Sequence, residues 1–521
     1  MNNITQKQKD IWKQKVIDLE PKLVKFVKFP LYQGKVISSK KTFFKYKFLR
    51  EKNVDDSFTY NFEKETELLL DFGEHIVGDF QFDVELAGKN VGGPLRLKII
   101  FGEIPSEIGD EIEPYTGKLS RAWFQDEIVT LEYLPQTVKF SRRFACQYVK
   151  LELIAKSFDY GVEIKNIKCD CTTSASPDLD KNILKDLSDD LRIIDEVALR
   201  TLRNTMQSTF IDGPKRDKRL WLGDFPLLAK TNYLTFHNID LVKRCLYLFA
   251  SQLGEDGRMP ACIYTNPKFN PGVEYIVDFA VLFGSYLLEY GEATNDWDLV
   301  KELWPVAFLQ TKIIIDKIDE SGLFNNTDDW WIFIDWNPKL EKDAAVNAII
   351  IYSLKQLVII AERFNYTEER KFLTQTILKL QKAALENFFD SQEEIFVSGY
   401  EKQISWASQV WMILAGVVDS ETAKRILIKM FGCKNIVKPV TPFFYHYTLE
   451  ALFSQGLNSQ AVQLIKDYWG GMIKEGATTF WEVYKSDDHK FSPYDNYLLN
   501  SYCHSWSCTP AYFFRKYKLC N

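Results

Sequence analysis

The hydrophobic pattern changes period once, near Cys171, and that switch constrains the fold more than any other feature of the chain. From about residue 40 to 175, short apolar runs alternate with polar residues, as in TELLLDFGEHIVGDFQFDVELAG, PLRLKIIFGE, EIVTLEYL and QYVKLELIAK. A period of two sends alternate side chains to opposite faces of a strand, so this stretch is expected to form a β-sandwich. Beyond Cys171 the apolar residues recur every three to four positions. Leu184, Leu187, Leu191, Ile194 and Leu202 mark the first such stripe. Twelve helical segments are predicted from there on, the first over 180–210 and the last over 500–518, with no strand among them. Twelve helices make six hairpins, which can close into an (α/α)6 toroid. An open solenoid would need a sequence repeat at fixed period, and none is visible.

The expected architecture is therefore multidomain, β followed by α. Residues 1–175 form an N-terminal extension and β-sandwich accessory domain, and 176–521 an (α/α)6 catalytic barrel. The first 35 or so residues carry no clear pattern and fit either domain.

Charge and composition exclude several classes of function. Sixty-five basic against 71 acidic side chains leave a net charge of −6, with no lysine or arginine block to follow a phosphate backbone, so no nucleic acid partner is expected. The polar N-terminus MNNITQKQKDIWKQKVIDLE lacks the apolar core of a signal peptide. No stretch of about 18 uncharged apolar residues is expected to cross a membrane, and the predicted location is cytoplasmic. Nine cysteines without a CxxC pair and only five histidines predict reduced thiols, no metal site and no cofactor. Eleven of the thirteen tryptophans follow residue 180, which places the candidate ligand surface in the helical part. Nothing in the pattern sets an oligomeric state.

Four segments carry chemistry-bearing residues. The first, Phe210–Asp224, gathers Asp212, Asp217 and Asp224 with Lys215, Arg216, Lys218, Arg219 and Trp221 around Gly213-Pro214, a pair that forbids a continuous helix. A solvated charged connector is the competing reading. The second, Asp328-Asp329-Trp330-Trp331 through Asp335-Trp336, sets acids in an aromatic wall. This combination suits a sugar ring, with aromatic faces against C–H groups and carboxylates against hydroxyls. A buried tryptophan core would explain the same aromatics, although its acids would then need partners. The third, Gly476–Glu482, ends in Trp481-Glu482. The fourth places His504 beside Trp506 just before the last helix, with no GxSxG serine motif anywhere in the chain.

Together these segments resemble glycoside hydrolase family 78, the α-L-rhamnosidases, which are six-hairpin glycosidases. That family carries Asp-Cys-Pro-x-Arg-Glu-Arg-x-Gly-Trp-x-x-Asp between barrel helices, and Asp212, Pro214, Arg216, Trp221 and Asp224 match it in order. Its later Ala-Thr-Thr-x-Trp-Glu motif is matched by Ala477, Thr478, Thr479, Trp481 and Glu482. The resemblance covers the strand-rich segment as well as 180–521. It departs at the position of the family's general acid, a glutamate, where this chain has Asp217.

The resemblance implies an inverting exo-glycoside hydrolase that releases terminal α-L-rhamnose or a similar sugar from short oligosaccharides or glycosides. Asp217 would be the acid that protonates the leaving oxygen and Glu482 the base that activates water. Asp212, Arg216, Trp221, Asp224, Trp331, Asp335, Trp336, Trp481 and His504 would contact the sugar. Alternatives on the same toroid are an unsaturated glucuronyl hydrolase-like enzyme or a phosphorylase, whose phosphate would sit on Lys215, Arg216, Lys218 and Arg219. A catalytically impaired carbohydrate-binding protein is a third.

Overall fold

The computed structural model describes residues 4–62, 65–87, 94–156, 160–179, 182–328 and 330–519. The chain divides into two compact units that do not follow its linear halves. Met1–Glu20 with Arg219–Tyr468 form one, and Pro21–Lys218 with Trp469–Asn521 form the other.

The second unit is built on a ten-stranded sheet. Its centre is the long strand Glu67–Ala87, which pairs antiparallel with Gly161–Thr173 on one side and Phe144–Ala155 on the other. Leu68, Leu70, Phe80, Phe82 and Val84 of that strand are buried, and one contiguous core joins them to Leu97, Ile99, Val149, Leu151, Val162 and Ile164. The alternation read from the sequence is thus the alternation of burial. A register shift between Asp71 and Ile76 lets so long a strand bend. Cys169 and Cys171, two residues apart, both face this core. The leading segment, which had no clear pattern, supplies the strands Val24–Lys28 and Tyr32–Ser38.

The last strand ends at Thr173, and the first long helix of this unit runs from Asp189 to Thr205. The predicted start at 180 is too early: the chain loops back so that the Leu184 N–H donates to Asp195 Oδ2 at 3.1 Å. Leu184 and Leu187 therefore lie outside the helix they seemed to begin. Asp189 and Asp190 in its first turn suit the positive end of the helix dipole. Asp195 receives Arg515 of the final helix, Pro510–Lys516, at 2.6 and 3.1 Å. That final helix is far shorter than 500–518, because Pro510 has no N–H to continue a helix backwards. Residues 501–509 turn instead, around a short 3-10 segment at Ser505–Ser507.

In the first unit, helix Gln6–Asp18 opens on a capping box between Thr5 and Gln8. It docks through Trp12 Nε1 and Lys15 Nζ on Glu302, at 2.9 and 2.6 Å. The remaining helices follow the predicted order, among them Ile239–Ser251, Trp297–Ile315, Asp343–Arg363, Thr367–Phe388 and Pro442–Ser454. Among the described residues Asp343–Arg363 is the one helix long and apolar enough to cross a membrane by length and composition, although Lys355 interrupts its apolar run. Of its apolar window, 72% is buried inside the fold, as in a core helix. The expectation of no strand after Cys171 also fails: Arg219–Trp221, Cys262–Tyr264 and Asn270–Pro271 pair antiparallel. Runs of two or three residues are too short for periodicity to register.

Candidate active site

The loop at 212–218 in the second unit is held by contacts from both parts of that unit. Asp212 Oδ2 accepts the Asp217 N–H at 3.0 Å, and the Asp212 carbonyl accepts the Ser505 N–H at 2.7 Å. Lys215, 3% exposed, donates through Nζ to Glu107 Oε1 at 2.5 Å and to the carbonyls of Asn500 and Leu498 at 2.6 and 3.3 Å. Glu103 lies 3.3 Å from the same ammonium, and also accepts the Tyr502 N–H at 2.7 Å and His75 Nε2 at 2.9 Å. Burial alone would raise both acids. Lys215 and His75 outweigh it at Glu103 and hold that carboxyl below the usual range, while Glu107 stays raised by burial. Ionic groups this deep are tolerated only when their remaining donors and acceptors are satisfied, as these are.

Arg216 is the hub of the cluster. Its Nε donates to the Leu499 carbonyl at 2.9 Å, Nη2 donates to Glu482 Oε2, and Nη1 lies 3.5 Å from Asp217 Oδ1. Glu482 Oε2 also accepts the Ser501 N–H at 3.0 Å, and Oε1 accepts the Tyr494 hydroxyl at 2.5 Å. The Arg216 guanidinium lies over the Tyr494 ring, 4.3 Å from its centre. Burial pushes the Glu482 carboxyl up, but Arg216 and these donors pull harder and hold it below the ordinary glutamate range. Glu482 is thus a carboxylate at neutral pH. His504 is buried, and burial lowers its pKa to about 4, so it is neutral. Its ring packs 4.1 Å from that of Trp506, whose Nε1 donates to the Glu482 carbonyl at 3.1 Å.

Asp212, Arg216, Asp217, Glu482 and His504 are therefore gathered within one unit. Trp221, Asp224, Trp331, Asp335 and Trp336 belong to the other unit. Trp221 is half-buried in the strand Arg219–Trp221, and Asp224 is buried at the head of helix Phe225–Tyr233. Trp331 is 36% exposed, its ring 5.9 Å from that of Trp336, which meets Phe333 edge-on at 4.9 Å. Asp278, which the sequence reading overlooked, accepts the N–H groups of Phe333 and Ile334 at 2.8 and 3.1 Å and fixes this aromatic segment. Asp328 pairs with Lys317 at 2.8 Å; Asp329 lies outside the described residues.

Two of the expected sugar contacts need correction. Asp335 is 4% exposed, and both its oxygens are occupied by Val440 N, Thr441 N, Thr441 Oγ1 and Asn337 N, so it pins one loop to another. Burial pushes its carboxyl up to about 6 against those donors. Trp481, 2% exposed, is enclosed by Phe43, Phe44, Tyr484 and Tyr502 and is a core residue. Asp335→Ala is expected to cost about 2–4 kcal/mol, since it orphans two or more buried donors at ~1–3 kcal/mol each. Urea unfolding measures it. A raised KM for a glycoside with unchanged stability would return Asp335 to the sugar.

The sequence reading also passed over Tyr494, which sits in the polar run KSDDHKFSPYDN, twelve positions after Glu482, and reads there as a connector. Nor do the cations form a phosphate pocket. Lys215 is committed to Glu107, and Arg216 to Glu482. Lys218 Nζ donates to the Arg143 carbonyl at 3.2 Å, with its pKa lowered to about 8 by burial and the nearby arginines. Arg219 lies over Tyr264.

The model of the glycosyl hydrolase family 78 α-rhamnosidase N-terminal domain matches residues 30–171, and that of the bacterial α-L-rhamnosidase six-hairpin glycosidase domain matches 187–517. Among solved structures the chain is similar to a rhamnosidase from Klebsiella oxytoca with rhamnose bound. The two are 35% identical over 98% of this chain and 99% of that one, with a TM-score of 0.94. The family 78 rhamnosidase of Bacillus sp. GL1 is 20% identical, over 91% of this chain and 50% of its own, with a TM-score of 0.76. The α-L-rhamnosidase of Streptomyces avermitilis complexed with L-rhamnose is 16% identical, over 93% and 44%, with a TM-score of 0.65. These last two show the shared fold. No curated protein matches the chain. A family model spanning more than half its length, and a relative 35% identical from end to end, place this chain in glycosyl hydrolase family 78, the bacterial α-L-rhamnosidases.

Proposed function

We propose that the protein is an exo-acting α-L-rhamnosidase that hydrolyses short rhamnosides with inversion, Asp217 serving as acid and Glu482 as base. The observation that carries this reading is the placement of Arg216 between the two carboxyl groups, one terminal nitrogen on Glu482 and the other 3.5 Å from Asp217. A guanidinium inserted between two acids keeps them out of direct contact. That suits an inverting pair, whose carboxyl groups stand roughly 6.5–9.5 Å apart to admit a water.

In the reaction Asp217 donates its proton to the glycosidic oxygen as the C–O bond breaks. Glu482 takes a proton from the water that attacks the anomeric carbon from the opposite face, so charge balances across the turnover. Arg216, the Ser501 N–H and the Tyr494 hydroxyl keep Glu482 ionised and oriented. Neutral His504 stays in this reading a contact for a sugar hydroxyl. The shorter Asp217 in place of glutamate draws the acid back by one methylene, which bears on the choice of leaving group. With Lys215, Arg216 and Lys218 engaged by protein groups, hydrolysis is favoured over phosphorolysis.

A panel of aryl glycosides tests this directly. The α-L-rhamnoside is expected to be the substrate turned over fastest, with no stimulation by inorganic phosphate. Preferential cleavage of another glycoside, or phosphate dependence, would contradict it. Tyr494→Phe removes one donor from ionised Glu482, so the base's pKa rises. The acidic limb of the kcat/KM profile should therefore move to higher pH by about one to two units, from the ~1.5–3 kcal/mol of a charge-assisted hydrogen bond and ~1.36 kcal/mol per unit. An unmoved limb would separate Tyr494 from the base.

A further inference from the structure

The segment that frames Glu482 is anchored, within the second unit, to the strand-rich part of the chain. Residues 494–501 build that frame. The Tyr494 hydroxyl and the Ser501 N–H reach the Glu482 carboxylate, while the carbonyls of Leu498, Leu499 and Asn500 receive Lys215 and Arg216. Arg216, His504 and Tyr494 are the charged and titratable side chains that face Glu482.

Residues 110–118 hold this frame from behind. Asp110 follows the short helix Pro105–Gly109, whose Glu107 grips Lys215. Its Oδ2 accepts the Tyr497 hydroxyl at 2.8 Å and its Oδ1 the Tyr46 hydroxyl at 3.2 Å. Tyr46 opens the strand Tyr46–Asn53, so one half-buried carboxylate clamps Tyr497 to the sheet. The Lys118 N–H donates to the Tyr494 carbonyl at 2.9 Å, and Gly117 lies so close to Leu499 that a Cβ there would stand 2.6 Å from its Cδ1. The Tyr497 ring stacks on Phe44, 5.9 Å away and 12° from parallel. The ion pair of Lys118 with Asp495, at 3.1 Å, is exposed on both sides and adds little. Hydrogen bonds weaken steeply as they bend. Slack at Tyr497, three residues from Tyr494, would therefore turn the Tyr494 hydroxyl off Glu482.

We propose that Asp110 is a positioning residue for the base, acting through Tyr497 and Tyr494, so that the strand-rich part of the chain completes the catalytic site. The inference rests on Glu482 being the base. The test is steady-state kinetics of the full-length protein on an aryl α-L-rhamnoside across pH, in Asp110→Ala, in Tyr494→Phe and in the double variant. Asp110→Ala is expected to lower kcat about tenfold with KM within about twofold, since small misplacements at a reacting centre are costly. It should also move the acidic limb of kcat/KM to higher pH, as Tyr494→Phe does, because Glu482 loses a donor that favours its charged form. The double variant should show the limb of Tyr494→Phe alone, both changes removing the same contact. Asp110→Asn, which keeps an acceptor for Tyr497, should restore most of the parental profile. Should Asp110→Ala fail to fold, Tyr497→Phe, which deletes one hydroxyl, carries the same expectations. A limb that moves in Tyr494→Phe but not in the Asp110 variant, or shifts that add in the double variant, would overturn the proposal. A limb unmoved in Tyr494→Phe would instead overturn the tie between Tyr494 and the base, and this inference with it.

Discussion

Asp217→Asn is expected to lower turnover of an aryl α-L-rhamnoside by about 10²–10⁴-fold, the usual contribution of a positioned general acid, while leaving stability nearly unchanged. Asp217 is partly exposed, and its ion contact with Arg216, at 3.5 Å, is long. Glu482→Gln should lower turnover by a similar factor but for a residue of different standing. Glu482 is buried and paired with buried Arg216, so the substitution removes the nearer of that guanidinium's two carboxylates and leaves only the longer contact with Asp217, at a cost of up to about 3–5 kcal/mol. The two variants thus separate catalytic loss from structural loss. Steady-state kinetics and urea unfolding on both read the contrast, and near-parental activity in either would remove that residue from the mechanism.

Lys215→Met is expected to destabilise the second unit by about 3–5 kcal/mol, because one ammonium neutralises a site holding two buried carboxyl groups, Glu103 and Glu107. The same ammonium ties the loop bearing Arg216 and Asp217 to the carbonyls of Leu498 and Asn500, so turnover should fall as well. Adding Glu107→Gln should restore part of the stability, since it removes the carboxyl that burial already pushes toward its neutral form. A loss below about 1 kcal/mol in Lys215→Met, by urea unfolding, would show that the network is not what holds the loop.

The order of strands and helices was legible because long periodic segments announce themselves. The 21-residue strand at Glu67–Ala87 and the helix at Asp343–Arg363 are unmistakable at their centres. Helix ends were not, since they depend on partners such as Asp195 for Leu184, which no local pattern reveals. The same limit governs the site. The Gly213-Pro214 break exposed the loop that carries Asp212, Arg216 and Asp217, and a motif match drew attention to Glu482. Asp335 looked like a sugar ligand because its neighbours are tryptophans, whereas the donors that occupy it come from Val440 and Thr441, more than a hundred residues away. Tyr494 was hidden for the opposite reason: a tyrosine in a charged connector looks ordinary until its hydroxyl is found on Glu482.

With Asp217 as acid and Glu482 as base, as proposed, an inverting α-L-rhamnosidase releases β-L-rhamnose first. Proton NMR of an α-L-rhamnoside during the first minutes of hydrolysis tests it most directly, before the released sugar mutarotates. The anomeric signal of β-L-rhamnose is predicted to appear first and that of the α-anomer to follow. Initial release of α-L-rhamnose, or no release of rhamnose, would contradict it.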